Sequence, residues 1–203
     1  MKDSVPFREI WDEYPRKGIR VFPGGDSSRE GSPRPVILIG DLGSDPIGLI
    51  SKKGPGPVEK LQKTSRKSGD PTVKVGDLVI VISGSTLKCA VADETNAGCV
   101  ISQNLAAVSL KDGYSPYYVC WYLNSTHGQH QLAQYSKGSS ITRSITIDSL
   151  GQVEIPRLPQ RAQDDIHALF EGFHRHERRL VEEREEMIRI MNEIVRRAQE
   201  GTL

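Results

Sequence analysis

From Gln160 almost to the C-terminus the chain keeps a beat of seven. Ile166, Phe173, Leu180, Met187 and Ile194 recur at heptad spacing, and Leu169, Phe170, Ile190, Met191 and Ala198 fill neighbouring positions. This is the pattern of a coiled-coil seam. Charges crowd the other positions, as in "HERRLVEEREEM", where Glu182 to Glu186 and Arg178 or Arg189 are spaced for i,i+3 and i,i+4 pairing. About 40 residues at 1.5 Å each would make a rod of roughly 60 Å. Such a helix is not stable alone, because most helix stability in proteins comes from packing an apolar stripe. It must either pair with another helix or fold back on its own domain. Nothing in the rest of the chain supplies a second heptad strip of matching length, so pairing is the expectation. His176 and Glu183 fall on or beside the seam, where polar residues fix register or partner choice.

What precedes the seam is of another kind. "VEIPRLP", residues 153–159, closes a β-branched run with prolines, and the stretches before it alternate short apolar runs with turn residues. "VILIGDLGSDPIGLI" reads as a strand, a polar turn and a second short strand. "VGDLVIVISGSTLKCAVA" reads as a hairpin turning at Ser-Gly-Ser-Thr, and "CVISQNLAAVSL" as a further strand. "SPYYVCWYLNSTHGQHQLAQYS" reads as a helix starting near Ser115 or Pro116, and "GSSITRSITIDSLGQVEIP" as a polar turn followed by a strand or two. With 203 residues and 36% apolar content the chain can build one core plus an appendage. The sequence repeats at no period.

Several classes of function fall away. The N-terminal stretch has no apolar h-region, and no run approaches the ~18 apolar residues of a membrane span, so a cytoplasmic protein is expected. Cys89, Cys99 and Cys120 are odd in number and form no CxxC pair, which points to buried thiols and away from a disulfide scaffold or structural zinc. The chain lacks GxxxxGK[ST], GxGxxG after a strand, HExxH and GxSxG. "SPYY", Ser115 to Tyr118, lacks the side-chain carbonyl with which amino-methyltransferases hold a target amine. His127 and His130 lack a third metal ligand nearby, and surface or capping roles are expected for them and for His167, His174 and His176. Asp164 and Asp165 suit the N-terminus of the long helix. No cofactor is expected.

Charge is unevenly placed. The net charge is +1, yet residues 51–74 carry seven basic residues against two acids. Through Pro159 there are 19 basic and 16 acidic residues, and afterwards 8 and 10. The body is therefore the cationic part.

The order of these pieces resembles one half of a type I restriction-modification specificity (S) subunit. The family's "I-x-I-x-D-L…G-x-I" element is here "ILIGDLGSDPIGLI", its "G-D-L-L…G…G-K-x-A" is "GDLVIVISGSTLKCAVA", and its "S-x-N-L-x-x-(I/V)" is "SQNLAAV". "SPYYVCWYL" stands for its "P-x-Y" helix, "LGQVEIP" for its "L-x-x-(I/V)-x-(I/L)-P", and "LPQRAQDDI" for its hinge, with Leu158, Gln160 and Ala162 departing from the usual residues. The resemblance covers nearly the whole chain. It implies an α+β fold: a β-rich target recognition domain with a few helices, residues 1–158, followed by a long coiled-coil helix, residues 159–203, that serves as dimerisation element and spacer.

A full S subunit has two recognition domains and two antiparallel helices, and this chain has one of each. The resemblance thus implies a homodimer through antiparallel C-terminal helices, with Ile166, Leu169, Phe173, Leu180, Met187, Ile190 and Ile194 in the seam. It implies double-stranded DNA as ligand and a separate methyltransferase (M) subunit, with a translocating restriction (R) subunit, as partners. The chain itself would be a non-catalytic adaptor. Phosphate neutralisation by Lys and Arg dominates duplex affinity, while polar side chains in the grooves set sequence choice. Lys52, Lys53, Lys60, Lys63, Arg66 and Lys67 are accordingly the phosphate candidates. Lys137, Ser139, Ser140, Thr142 and Arg143 in the turn "KGSSITRS", and Ser83, Ser85, Thr86 and Lys88 at the hairpin tip, are the base-reading candidates. A coiled-coil scaffold whose β-rich domain binds protein is the alternative.

Overall fold

The computed structural model describes residues 3–19, 35–43, 47–51, 70–139 and 141–200. The described strands are β1 (Ser4–Pro6), β2 (Arg16–Lys17), β3 (Val36–Ile37), β4 (Leu78–Val81), β5 (Ser83–Gly84), β6 (Cys89–Val91), β7 (Val100–Ile101), β8 (Leu105–Val108), β9 (Lys137–Gly138), β10 (Arg143–Ser144) and β11 (Glu154–Pro156). The helices are α1 (Pro116–Asn124), α2 (Thr126–Tyr135), α3 (Ile147–Leu150) and α4 (Gln160–Gln199). The architecture is α+β, as expected.

The core is a four-stranded antiparallel sheet in the order β2-β8-β4-β6. Its two central strands, "LVIV" and "LAAV", are buried at every position because both faces are covered. That is why they read as continuous apolar runs and not as alternation. The sheet begins at Gly76, whose φ of +82° turns the chain so that Asp77 points inward. There the Asp77 carboxylate accepts from the Arg16 guanidinium at 2.5 Å, the Ser109 hydroxyl at 2.6 Å and the Lys74 amide at 2.6 Å. Both members of this ion pair are buried, so every polar partner around it must be present. β1 and β11 pair antiparallel, Val5 against Ile155, and tie the start of the body to its end just before α4.

The helical hairpin covers the edge strand β6. Ser115 caps α1, its hydroxyl accepting from the Tyr118 amide, and Pro116 takes the first helical position, where a missing N–H costs nothing. The sequence reads residues 115–136 as one helix, but the structure breaks it at Ser125. That residue is extended, donates its hydroxyl to the Tyr122 carbonyl and accepts from the Gly128 amide, so it ends α1 and caps α2. Gly128 is required there, since a Cβ would lie 2.1 Å from the Tyr122 carbonyl oxygen. The Asn124 amide accepts from and donates to the Cys89 backbone at 2.8 Å, which closes the free edge of β6. A second difference lies at "IDSL", part of the stretch read as strand. Thr146 caps it into the short α3 by accepting from the Ser149 amide. All three cysteines are buried.

Candidate nucleic-acid interface

Two polar stretches far apart in sequence meet on one surface. The hairpin tip supplies β5 and the turn "KGSSITRS" supplies β9 and β10, and the three strands form one antiparallel sheet in the order β5-β10-β9. Arg143 stands opposite Gly84 on one side and Gly138 on the other, and Ser144 opposite Ser83 and Lys137. The Ile145 amide donates to the Ile82 carbonyl at 2.9 Å, so this small sheet is anchored directly to the end of β4.

The turn is tightly specified. Gly138 has φ of +118°, and a Cβ there would lie 2.2 Å from the Thr142 carbonyl oxygen, so only glycine fits. Ser139 donates its amide to that carbonyl, and its hydroxyl accepts from the Ile141 and Thr142 amides. Its oxygen is thus a turn-forming acceptor. Lys137, Ser139, Thr142, Ser85 and Thr86 are exposed, and Arg143 and Ser83 half-buried. Lys88 differs from the other candidates: its ammonium donates to the Leu42 carbonyl and pins the hairpin to the neighbouring loop. Sequence reasoning passed over Ile141. At the turn tip, 79% exposed, it is the most exposed large apolar side chain among the described residues. The signal was present, since an isoleucine inside a run of Gly, Ser and Thr has no core to enter. Lys52, Lys53, Lys60, Lys63, Arg66, Lys67 and Ser140 lie outside the described residues.

The other functional surface is α4, whose first half is seated on the body. Gln163, buried, accepts from the Ser115 amide and donates to the Leu158 carbonyl, both at 3.2 Å. The Tyr117 ring lies edge-on between His167 and His174, each 4.9 Å away between centroids. His167 shares a 3.2 Å contact with the Ser115 hydroxyl, and the His174 Nε2 lies 2.8 Å from the Ile47 carbonyl oxygen. Arg178 closes the row with an ion pair to Asp93. Burial, then the negative charges of Glu171 and Asp93, push the Tyr117 hydroxyl above its ordinary pKa. The surface or capping role expected for His174 is corrected: it is 4% exposed and serves the joint between helix and body. A cleft of about 300 Å³ beside this joint is lined by Asp93, Glu171, Arg175 and Arg178 among others. No cluster that could hold a metal ion occurs among the described residues.

The docking row 163, 167, 170, 174, 178 and the heptad seam occupy different faces of α4. At 3.6 residues per turn the seam lies about a third of a turn away from the row. Ile166, nearest the body, is half-buried and packs on the core. Leu169, Phe173, Leu180, Met187, Ile190 and Ile194 are all exposed. The seam thus stays open along the docked half of α4 as well as along the half that leaves the body.

No protein-family model matches the chain, and no curated protein sequence does. Solved structures do. The HsdS subunit of Thermoanaerobacter tengcongensis matches over 98% of this chain and 45% of its own, with 22% identity and a TM-score of 0.53. A chain from a study of complex assembly and conformational transition in the type I R-M system matches over 98% and 46%, at 22% identity and a TM-score of 0.54. The type I S subunit of M. genitalium matches over 94% and 42%, at 13% identity and 0.52. This chain has the fold of one half of an S subunit. It spans less than half the length of these S-subunit chains, and its joint between α1 and α4 lies within the matched span. No helix among the described residues is long and apolar enough to cross a membrane.

Proposed function

We propose that the chain is the sequence-specific DNA-recognition subunit of a type I-like restriction-modification system, acting as a homodimer through antiparallel α4 helices. One observation carries the DNA role: on an S-subunit half fold, the two polar turns, more than fifty residues apart in sequence, join in one anchored sheet, β5-β10-β9. Its exposed side chains are a lysine, hydroxyls and an isoleucine, with Arg143 between them. Arginine reads guanine by a bidentate pair, hydroxyls read either partner, and an apolar tip meets a thymine methyl. The basic residues between Lys52 and Lys67 supply the phosphate contacts, and Lys137 adds one. Lys88, whose ammonium is held by the Leu42 carbonyl, is assigned to supporting the hairpin tip in this reading.

The two copies read inverted half-sites, and the paired helices set the spacer between them. The chain has no catalytic part in this scheme. It directs a separate adenine methyltransferase, and a nuclease where one is present, to the bipartite site. Gel shifts of the purified chain on random duplex across a salt series test the DNA role. Log affinity should fall linearly with log salt, with a slope proportional to the phosphates neutralised. Arg143→Ala should relax specificity at one position at a cost of ~1–3 kcal/mol. Absence of binding, or binding indifferent to salt, would leave the β-rich body as a protein-binding scaffold.

A further inference from the structure

The base of α4 carries an open aromatic patch that reaches onto the body. Trp121, on the solvent side of α1, is 41% exposed, and its ring lies 6.4 Å from that of Phe170. Phe170 meets Phe173 edge-to-face at 5.9 Å. Phe173 is 43% and Leu169 56% exposed, so Trp121, Phe173 and Leu169 sit open around the half-buried Phe170. Of the fourteen exposed large apolar residues among those described, nine lie on α4, and Trp121 adjoins them. Seven of the nine, all but Ile188 and Val195, lie on or beside the seam, and with Trp121 these eight side chains are of the right order for the ~800 Å² per partner that a standard interface buries.

The far end of the same helix supplies a fitting cover. Ile190, Met191 and Ile194 are exposed on the same stripe. The open seam runs from Leu169 to Ile194, with Glu182 near its middle. An antiparallel pair that covers the whole seam therefore lays Ile190–Ile194 of a second copy against Leu169–Phe173. Charge favours this direction. A parallel pair would set the stretch 182–186, acidic but for Arg184, against itself, whereas the antiparallel pair sets Glu186 against Arg179 of the other copy, both flanking the seam. Closed two-fold symmetry follows, each patch meeting the other copy's tip.

We propose that Trp121 and Phe173 form a body-side seat for the Ile190–Ile194 segment of a second copy, so that the self-pairing surface extends from α4 onto α1. This rests on the homodimer reading above. The chain has two tryptophans, and Trp11 is partly buried against the core. In a Trp11→Phe chain, checked for folding by circular dichroism, Trp121 is the sole reporter. If that variant fails to fold, the quenchable fraction in the intact chain serves instead. As sedimentation shows dimer forming with concentration, Trp121 emission should shift to shorter wavelength and acrylamide quenching should fall severalfold. Trp121→Ser should weaken self-association about tenfold while single half-site binding stays unchanged. A dimer that leaves Trp121 quenching unchanged overturns the seat and spares the homodimer. A chain that stays monomeric at every concentration overturns both.

Discussion

The two halves of α4 share one helix and are held by opposite means. The half up to Arg178 is fixed to its own body by side chains of mixed character: an amide at Gln163, imidazoles at His167 and His174 around the Tyr117 ring, and an arginine on Asp93. The half beyond it touches little of the body and is laced along its surface by ion pairs such as Arg189–Glu186 and Arg196–Glu193. Exposed i,i+3 and i,i+4 pairs each contribute only a few tenths of a kcal/mol. The difference teaches where the free energy of a second subunit must enter. The docked half is held by the body on one face and left open on its seam, whereas the projecting half has only its seam to bury.

The largest effect should come from that seam. Leu180→Glu combined with Met187→Glu puts four charges into the dimer interface, and self-association should be lost in sedimentation. On DNA with two inverted half-sites, affinity should fall by 10²–10⁴, the usual gain from linking two binding events. Single half-site affinity should not change, because the β5-β10-β9 surface is remote from the substitutions. Equal losses on both DNAs would show that the projecting half acts on the body itself, and the contrast between the halves would be wrong.

The contrast also separates what could be read in the sequence from what could not. The seam was legible because a period of seven is local, and a helix makes it a stripe by geometry alone. The docking row was not, because Gln163, His167 and His174 are polar and fall on no apolar period; only the fold brings Tyr117 and Ser115 beside them. The same distinction holds in the body. "LVIV" and "LAAV" were visible as strands, while the pairing of Asp77 with Arg16 across 61 positions left no local mark. At the DNA surface both polar turns could be picked out one by one. Their union through Arg143 and Gly84 was invisible, because two-residue strands carry no periodicity. The break at Ser125 was readable in principle from the capping residues of "NST", which an aromatic-rich helical beat overrode.

A smaller effect should follow from loosening the docked half. Tyr117→Leu keeps an apolar side chain but removes two edge-on ring contacts, each worth ~0.5–1.5 kcal/mol. Amide hydrogen exchange over residues 163–178 should accelerate by roughly tenfold to a hundredfold, since 1.4 kcal/mol is a factor of ten. Exchange over residues 181–199 should stay as it was in dimeric protein. A change spread evenly along α4 would mean that the two halves open as one unit.

The smallest effect should come from the ion pairs of the projecting half. Hydrogen bonds from Arg196 and Arg197 hold the Glu193 carboxyl below its usual value near 4.5. A carboxyl lowered in the helical state stabilises that state above its ordinary pKa, and the contribution fades as pH falls through the lowered value. Mild acid should therefore cost the far end of α4 a little helicity, measurable by circular dichroism, and Glu193→Gln should show the deficit already at pH 7. Added salt should shrink the difference, because these charges are open to solvent and the Debye length is ~8 Å at 0.15 M. Self-association of Glu193→Gln should change by much less than tenfold, since Glu193 stands at the edge of the seam beside Ile190 and Ile194 and adds no apolar side chain to it. A tenfold weaker dimer in that variant would mean that the projecting half is paired through its charges, and the apolar seam would lose its claim to be the joining surface.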